Sequence, residues 1–386
     1  MPSVCEGDCM ESALATLRES VNHRHEYAQA WKQLTGGKVA GVFCIYVPEE
    51  ILHAMGILSV RIRGSREPED VTEPYITGWW CAHCRSSMAE VLKGKYSYVD
   101  GIVYAVSCPH VYQVYNSWSR HSNLSYTYDL WIPENTRNSY ALGFLQKEFS
   151  KFARSLEEWT GKSLNEEKLS QSIKLFNLNR QLLEQIYELR KAAKPSLMGS
   201  EAMEIILAGM AIDKGEYTKL LQDVILELNT RKPPTPRARL MLLGSENDDV
   251  GLVKFIESYG AVAVTDDLCM GRRYFAGGPI STDRDLMQAL ATRYLNRPHC
   301  PQKDIVERNR LPQIYQQIED YRVDGVIYLL EKFCEPHAYD LPKIKDQLDK
   351  MGIPFLILEV DLTTPAGQFR TRVEAFLDLI DAKVVL

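Results

Sequence analysis

Nine cysteines are spread along this 386-residue chain, at positions 5, 9, 44, 81, 84, 108, 269, 300 and 334. An odd number at irregular spacing is not a disulfide framework. In a reducing compartment such thiols are free, catalytic or metal-bound. Cys81 follows the aromatic pair Trp79-Trp80 and precedes a stretch of helical character over Arg85–Leu92. Its thiolate would lie near a helix N-terminus, where backbone N–H groups favour negative charge. Cys108 and Cys334 each stand just after an apolar run, Gly101–Val106 and Gly325–Leu330, with a proline close behind. Ligands of open parallel sheets bind just beyond the carboxyl ends of the strands. Three cysteines in such positions, drawn from two parts of the chain, suit a metal or cluster held between those parts. Cys81-Ala82-His83-Cys84 is a lone C-x-x-C pair, and zinc would want a second pair at similar spacing. Cysteine is also a common packing residue. Cys44 reads as lying inside a strand, and Cys5 and Cys9 lie in the N-terminal stretch, so these carry no chemistry in this reading. Cys269 and Cys300 lie in loops, where either role fits.

The elements that must position these residues fall into four stretches. Residues 1–35 read as an N-terminal helical extension, with helical spacing over 12–34. Residues 36–140 read as a first α/β domain. Gly36-Gly37 break the helix, and the apolar run Val39–Val47 reads as a buried strand. Pro48-Glu49-Glu50 then opens a helix through Met55, with acids near the positive end of its dipole. Strand-like Leu58–Ile62 and Gly101–Val106 follow. Residues 141–235 read as a helical domain, with helices over Leu142–Trp159, Glu166–Ala192 and Glu216–Leu228. Pro233-Pro234-Thr235-Pro236 makes a stiff linker out of it. Residues 236–386 resume the α/β rhythm, with strands at Leu240–Leu243, Ala261–Val264, Gly325–Leu330 and Pro354–Leu358. The fold class is therefore α/β, with two parallel sheets, each covered on both faces, joined by helices.

Charge narrows the partners. The chain has 51 acidic and 45 basic residues, and its net charge of −6 with no basic stripe excludes a nucleic-acid surface. A small or acyl-carrier substrate suits it better. No run approaches the roughly 18–20 apolar residues of a membrane span. Glu6, Asp8 and Glu11 make the N-terminus acidic where a signal peptide would be basic, so a cytoplasmic location is expected.

Longer motifs carry a resemblance. Trp80-Cys81-Ala82-His83-Cys84-Arg85-Ser86-Ser87, then Asp100-Gly101-Ile102-Val103 to Ser107-Cys108, resemble the 2-hydroxyacyl-CoA dehydratase and benzoyl-CoA reductase family. So do Tyr46-Val47-Pro48-Glu49-Glu50, Gly244-Ser245-Glu246-Asn247-Asp248-Asp249 and Asp266-Asp267-Leu268-Cys269-Met270-Gly271-Arg272-Arg273. Arg297-Pro298-His299-Cys300-Pro301, Lys332-Phe333-Cys334-Glu335-Pro336-His337 and Gly367-Gln368-Phe369-Arg370 extend the match toward the C-terminus. Within the family, Trp79 to Trp118 looks most like the smaller substrate-binding subunit of ATP-dependent benzoyl-CoA reductases.

The resemblance implies two flavodoxin-like domains joined by a helical one. It also implies a 4Fe-4S cluster on three cysteines, or half of a double-cubane 8Fe-9S cluster. In the family the first ligand stands four residues before an Arg-Ser pair, which selects Cys81 and leaves Cys84 as a spare. Cys108 and Cys334 match the second and third ligands. Three thiolates leave one iron open for substrate chemistry. The implied partners are a homologous larger substrate-binding subunit, ferredoxin as electron donor, and separate ATPase subunits with their own 4Fe-4S cluster. No G-x-x-x-x-G-K-S/T loop occurs here. The implied reaction passes low-potential electrons to an aromatic acyl-CoA, giving a cyclic dienoyl-CoA. Glu50 and His53, three residues apart on the helix after Tyr46, are the proton-handling candidates. His110 and His337 are candidates for hydrogen bonding near the cluster. Trp79, Trp80 and Trp118 are candidates for a ring pocket. The alternatives are a 2-hydroxyacyl-CoA dehydratase subunit and a homodimeric double-cubane reductase.

Overall fold

The structure, a computed structural model, describes residues 12–65, 70–283, 285–304, 308–361 and 366–384. Two four-stranded sheets form, most of their strands from short apolar runs, and both are parallel throughout. The first holds β1 (Lys38–Phe43), β2 (Ile57–Arg61), β3 (Gly101–Val106) and β4 (Tyr126–Trp131), in the order β2-β1-β3-β4. The second holds β5 (Arg239–Gly244), β6 (Val262–Asp267), β7 (Gly325–Glu331) and β8 (Phe355–Val360), in the order β6-β5-β7-β8. Both sheets thus share one flavodoxin-like topology, with the switch point between the first and third strands. The α/β class and the pair of parallel sheets match expectation. β5 is buried at every position and β3 at all but its last, as a sheet covered on both faces requires.

Four helices lie between the sheets in sequence: Ala141–Thr160, Glu166–Leu189, Gly199–Gly209 and Lys214–Thr230. The second starts where the Asn165 side chain accepts the backbone N–H groups of Glu167 and Lys168, with Glu166 and Glu167 in its first turn. Its buried stripe, Leu169, Ile173, Phe176, Leu183 and Ile186, faces the helices Glu49–Ala54 and Lys214–Thr230. Asn179 and Arg180 share that buried face.

Three local readings are corrected. The helix expected over 12–34 is two, Ala13–Asn22 and Arg24–Thr35, broken at His23. The first packs on Gly199–Gly209 and Lys214–Thr230, the second on β1, and one straight helix could not reach both. The run Val39–Val47 is a strand only to Phe43, because Cys44 takes a left-handed φ of 75° and turns the chain out of the sheet. Ile45, Tyr46 and Val47 are apolar because they are buried where the two halves meet, not because they pair in a strand. There Arg297 donates to the Ile45 carbonyl at 2.5 Å and Tyr294 to the Val47 carbonyl at 3.2 Å. The third correction is β4, which sequence reading passed over. It is a half-exposed edge strand without a continuous apolar run.

Further contacts cross between the halves. Arg61 Nη2 meets Glu246 Oε1 at 2.7 Å, Arg63 Nε meets Asp248 Oδ2 at 2.7 Å, and Tyr46 Oη meets His299 Nδ1 at 3.0 Å. Among the described residues no helix is long and apolar enough to cross a membrane.

Candidate metal centre

Each of the three cysteines singled out from sequence stands at the start of a helix. Cys81 precedes Ala82–Leu92, Cys108 precedes Pro109–His121, and Cys334 precedes Glu335–Met351. Pro109 and Pro336 occupy first-turn positions, where a missing N–H costs nothing and the fixed φ suits the helix. Three positive helix ends therefore point toward thiol-bearing residues. Cys108 follows β3 and Cys334 follows β7, the strands that flank the two switch points.

These strand ends open onto one cavity of about 70 Å³ between the sheets. It is lined by Cys81, Cys108 and Cys334, and equally by Cys44, Cys269 and Cys300. Six of the seven described cysteines thus line a single space. The seventh, Cys84, lies against Cys81 with the sulfurs 3.5 Å apart. Cys44, Cys269 and Cys300 were missed or left open by sequence reading. Cys44 enters because β1 ends one residue before it, and Cys300 precedes a proline just as Cys108 does.

Their surroundings make Cys81, Cys84, Cys108, Cys269, Cys300 and Cys334 poor acids on their own. A hydrogen bond with Cys84 and then burial hold Cys81 well above the ordinary thiol value. Burial and then the nearness of Cys81 raise both Cys108 and Cys334. Burial pushes Cys84 up to about 11 and raises Cys269 and Cys300 as well. Such thiols shed their protons readily only to a cation that takes the proton's place. The cavity also contains Glu331, whose carboxyl is pushed well up by burial and by Glu246, favouring its neutral form.

Among the described residues no three Cys, His, Asp or Glu side chains are gathered closely enough to hold a single metal ion. An iron–sulfur cluster makes a different demand, since each thiolate binds a separate iron and the sulfurs stand around the cluster. Soft sulfur donors spaced around one cavity fit that demand.

His337 lies against the centre, with its Nδ1 3.3 Å from Cys334 Sγ. His110 does not touch Cys108 through its ring; its Nδ1 accepts the Cys81 backbone N–H at 3.3 Å and its ring meets Trp80 at 4.4 Å. Trp118 is buried against Phe43 and Tyr96, whereas Trp79 is 75% exposed and packs edge-on against Phe333. None of the three tryptophans is among the residues lining the cavity.

Glu50 and His53 also lie outside that lining. Glu50 is fully buried, ion-paired with Arg180 and hydrogen-bonded by Tyr294 at 2.9 Å. Burial alone would raise its carboxyl, but Arg180 and then Arg293 hold it below the usual carboxylate range. His53 pairs its Nδ1 with Ser172 Oγ at 3.0 Å, and burial lowers its basicity.

Residues 44–380 match the family model described as 2-hydroxyglutaryl-CoA dehydratase, D-component, and the chain belongs to that family. It is 23% identical to the (R)-phenyllactyl-CoA dehydratase beta subunit of Clostridium sporogenes, over 94% of this chain and 97% of that protein. It is 25% identical to a benzoyl-CoA reductase subunit of Thauera aromatica, over 85% of this chain and 87% of that protein. It is 23% identical to the (R)-2-hydroxyglutaryl-CoA dehydratase beta subunit of Acidaminococcus fermentans, over 95% and 99% respectively. These relatives are subunits of enzymes whose names carry acyl-CoA substrates.

Proposed function

We propose that this chain is the cluster-bearing subunit of an ATP-dependent reductase of an aromatic acyl-CoA such as benzoyl-CoA. In this reading Cys81, Cys108 and Cys334 hold one 4Fe-4S cubane, and Cys44, Cys269 and Cys300 are available for the second half of an 8Fe-9S pair. The observation that carries it is the single cavity onto which six thiols from both sheets open. When bound, such a cluster would supply single electrons at low potential and an iron site open to substrate.

The chain's own residues set the conditions for that chemistry. They shield the thiols, aim helix N-termini at three of them, and frame the space between the two sheets. Similarity to a benzoyl-CoA reductase subunit supports an aromatic acyl-CoA substrate and a homologous larger partner subunit. Electrons would arrive from ferredoxin through separate ATPase subunits, since this sequence has no phosphate-binding lysine loop. Glu50, locked to Arg180, serves in this reading to fix the helix Glu49–Ala54 to the helical block.

Anaerobic purification with iron and sulfide analysis tests the cofactor, with about eight irons per chain expected for the double cubane and about four for the single one. A benzoyl-CoA assay with ATP, a low-potential donor and the partner subunits tests the reaction. Similarity to two dehydratase beta subunits favours one second reading, a 2-hydroxyacyl-CoA dehydratase that recycles its electron. Loss of 2-hydroxyacyl-CoA with no net consumption of reductant selects that reading and rejects the first.

A further inference from the structure

His337 touches two charged or chargeable neighbours through its two ring nitrogens. Nδ1 lies 3.3 Å from Cys334 Sγ, and Nε2 lies 3.3 Å from Arg273 Nη2. A guanidinium can only donate hydrogen bonds, so Nε2 must be the accepting nitrogen of this contact. A neutral imidazole carries one proton, and that proton must then sit on Nδ1, facing the sulfur. The opposite arrangement, with the Cys334 thiol donating to Nδ1, would put a hydrogen on Nε2 directly against the Arg273 N–H.

Arg273 has little freedom to move away. It is 1% exposed, its Nη2 also donates to the Gly244 carbonyl at 3.2 Å, and its Nε lies 3.6 Å from Asp267 Oδ1. Asp267 is in turn clamped by Arg310, which also grips Asp340. The His337 backbone is held as well, because the Tyr328 hydroxyl donates to its carbonyl at 2.9 Å. The Arg273 N–H directed at Nε2 leaves no place for a second ring proton, so the imidazole is neutral.

From this geometry we infer that Arg273 is a positioning residue that locks His337 as an N–H donor to the Cys334 sulfur. The inference rests on the reading of Cys334 as a cluster ligand for its consequence, but not for its geometry. A hydrogen bond donated to a cluster sulfur stabilises the reduced, more negative state and so raises the reduction potential. The Asp267-Arg273-His337 relay therefore favours electron acceptance at the Cys334 corner of the site.

Two measurements test it. In cluster-free protein, nitrogen-15 spectra of the histidines should show His337 with Nδ1 protonated and Nε2 bare, and Arg273→Met should let the Nε2–H form appear. A wild-type ring found with its proton on Nε2 overturns the proposal. In iron-loaded protein, His337→Leu should shift the reduction equilibrium at least about tenfold toward the oxidised form, 59 mV for one electron. His337→Asn, whose side-chain N–H stands near the place of Nδ1–H, should restore the wild-type potential and make it indifferent to Arg273→Met. Equal potentials in the leucine and asparagine variants also overturn the proposal. Should the chain bind no iron while the nitrogen spectra show Nδ1–H, the cluster reading falls and the tautomer lock on Cys334 stands.

Discussion

Cys108, Cys300 and Cys334 share a local pattern, a cysteine at a helix or turn start with proline one or two residues on. Proline favours the helical first turn, so the backbone that carries the cysteine is well defined. Cys108→Ser and Cys334→Ser are therefore expected to fold yet lose most of the bound iron, measured by anaerobic iron analysis beside a circular-dichroism spectrum. The pattern was legible at Cys108 and Cys334 because each follows a long apolar strand. At Cys300 the strand cue is missing, and at Cys44 the chain turns through a left-handed residue that no composition rule announces. Glu50 gives a prediction of another kind. Its carboxyl is held below the ordinary range, so the Arg180 pair contributes its full stability above about pH 4.3, where unfolded glutamate ionises. That contribution is lost as the pH falls from there through the folded-state value. Glu50→Gln should remove this acid limb from a stability–pH profile. It should also cost about 3–5 kcal/mol at neutral pH, by leaving a buried guanidinium without its charge partner. Urea melts at several pH values check both.

At the scale of elements, the ends of β5 and β7 are set by one close approach. Gly244 has φ of 133°, and a Cβ there would lie 2.0 Å from the Leu329 carbonyl oxygen. Gly244→Ala must push β5 from β7 just before Ser245, whose hydroxyl accepts the Glu331 backbone N–H at 3.0 Å. A loss of about 3 kcal/mol or more is expected from chemical denaturation, together with reduced iron content. Buried strands such as β3, β5 and β7 were readable because both their faces are covered and nearly every residue is apolar or small. The edge strand β4 was not, since alternation diluted by exposed residues looks like loop. The break at His23 was equally hidden, because it is imposed by two separate packing surfaces rather than by a helix-breaking residue.

For the whole molecule, the decisive fact is that neither sheet alone supplies the site. Cys44, Cys81 and Cys108 come from the first half of the chain, and Cys269, Cys300 and Cys334 from the second. Sequence reading expected Cys81, Cys108 and Cys334 to meet between the halves; that Cys44, Cys269 and Cys300 join them follows only from the meeting of the two switch points. Cluster loading should act as a cross-link between the halves, because it binds the folded arrangement and not the open one. The anaerobic iron-loaded protein is expected to melt at a higher temperature than the iron-free protein. The gap should close in a Cys108→Ser, Cys334→Ser double variant, as scanning calorimetry can show.

Trp79 leans on Phe333, next to Cys334, and Trp80 touches His110, two residues from Cys108. Iron–sulfur chromophores absorb where indoles emit, so light taken up by these two rings would drain into a nearby cluster instead of leaving as fluorescence. With the proposed cluster bound, the protein would carry a built-in optical gauge. Its emission should dim as iron is inserted and brighten as air destroys the cluster, allowing assembly and decay to be followed second by second without any added dye.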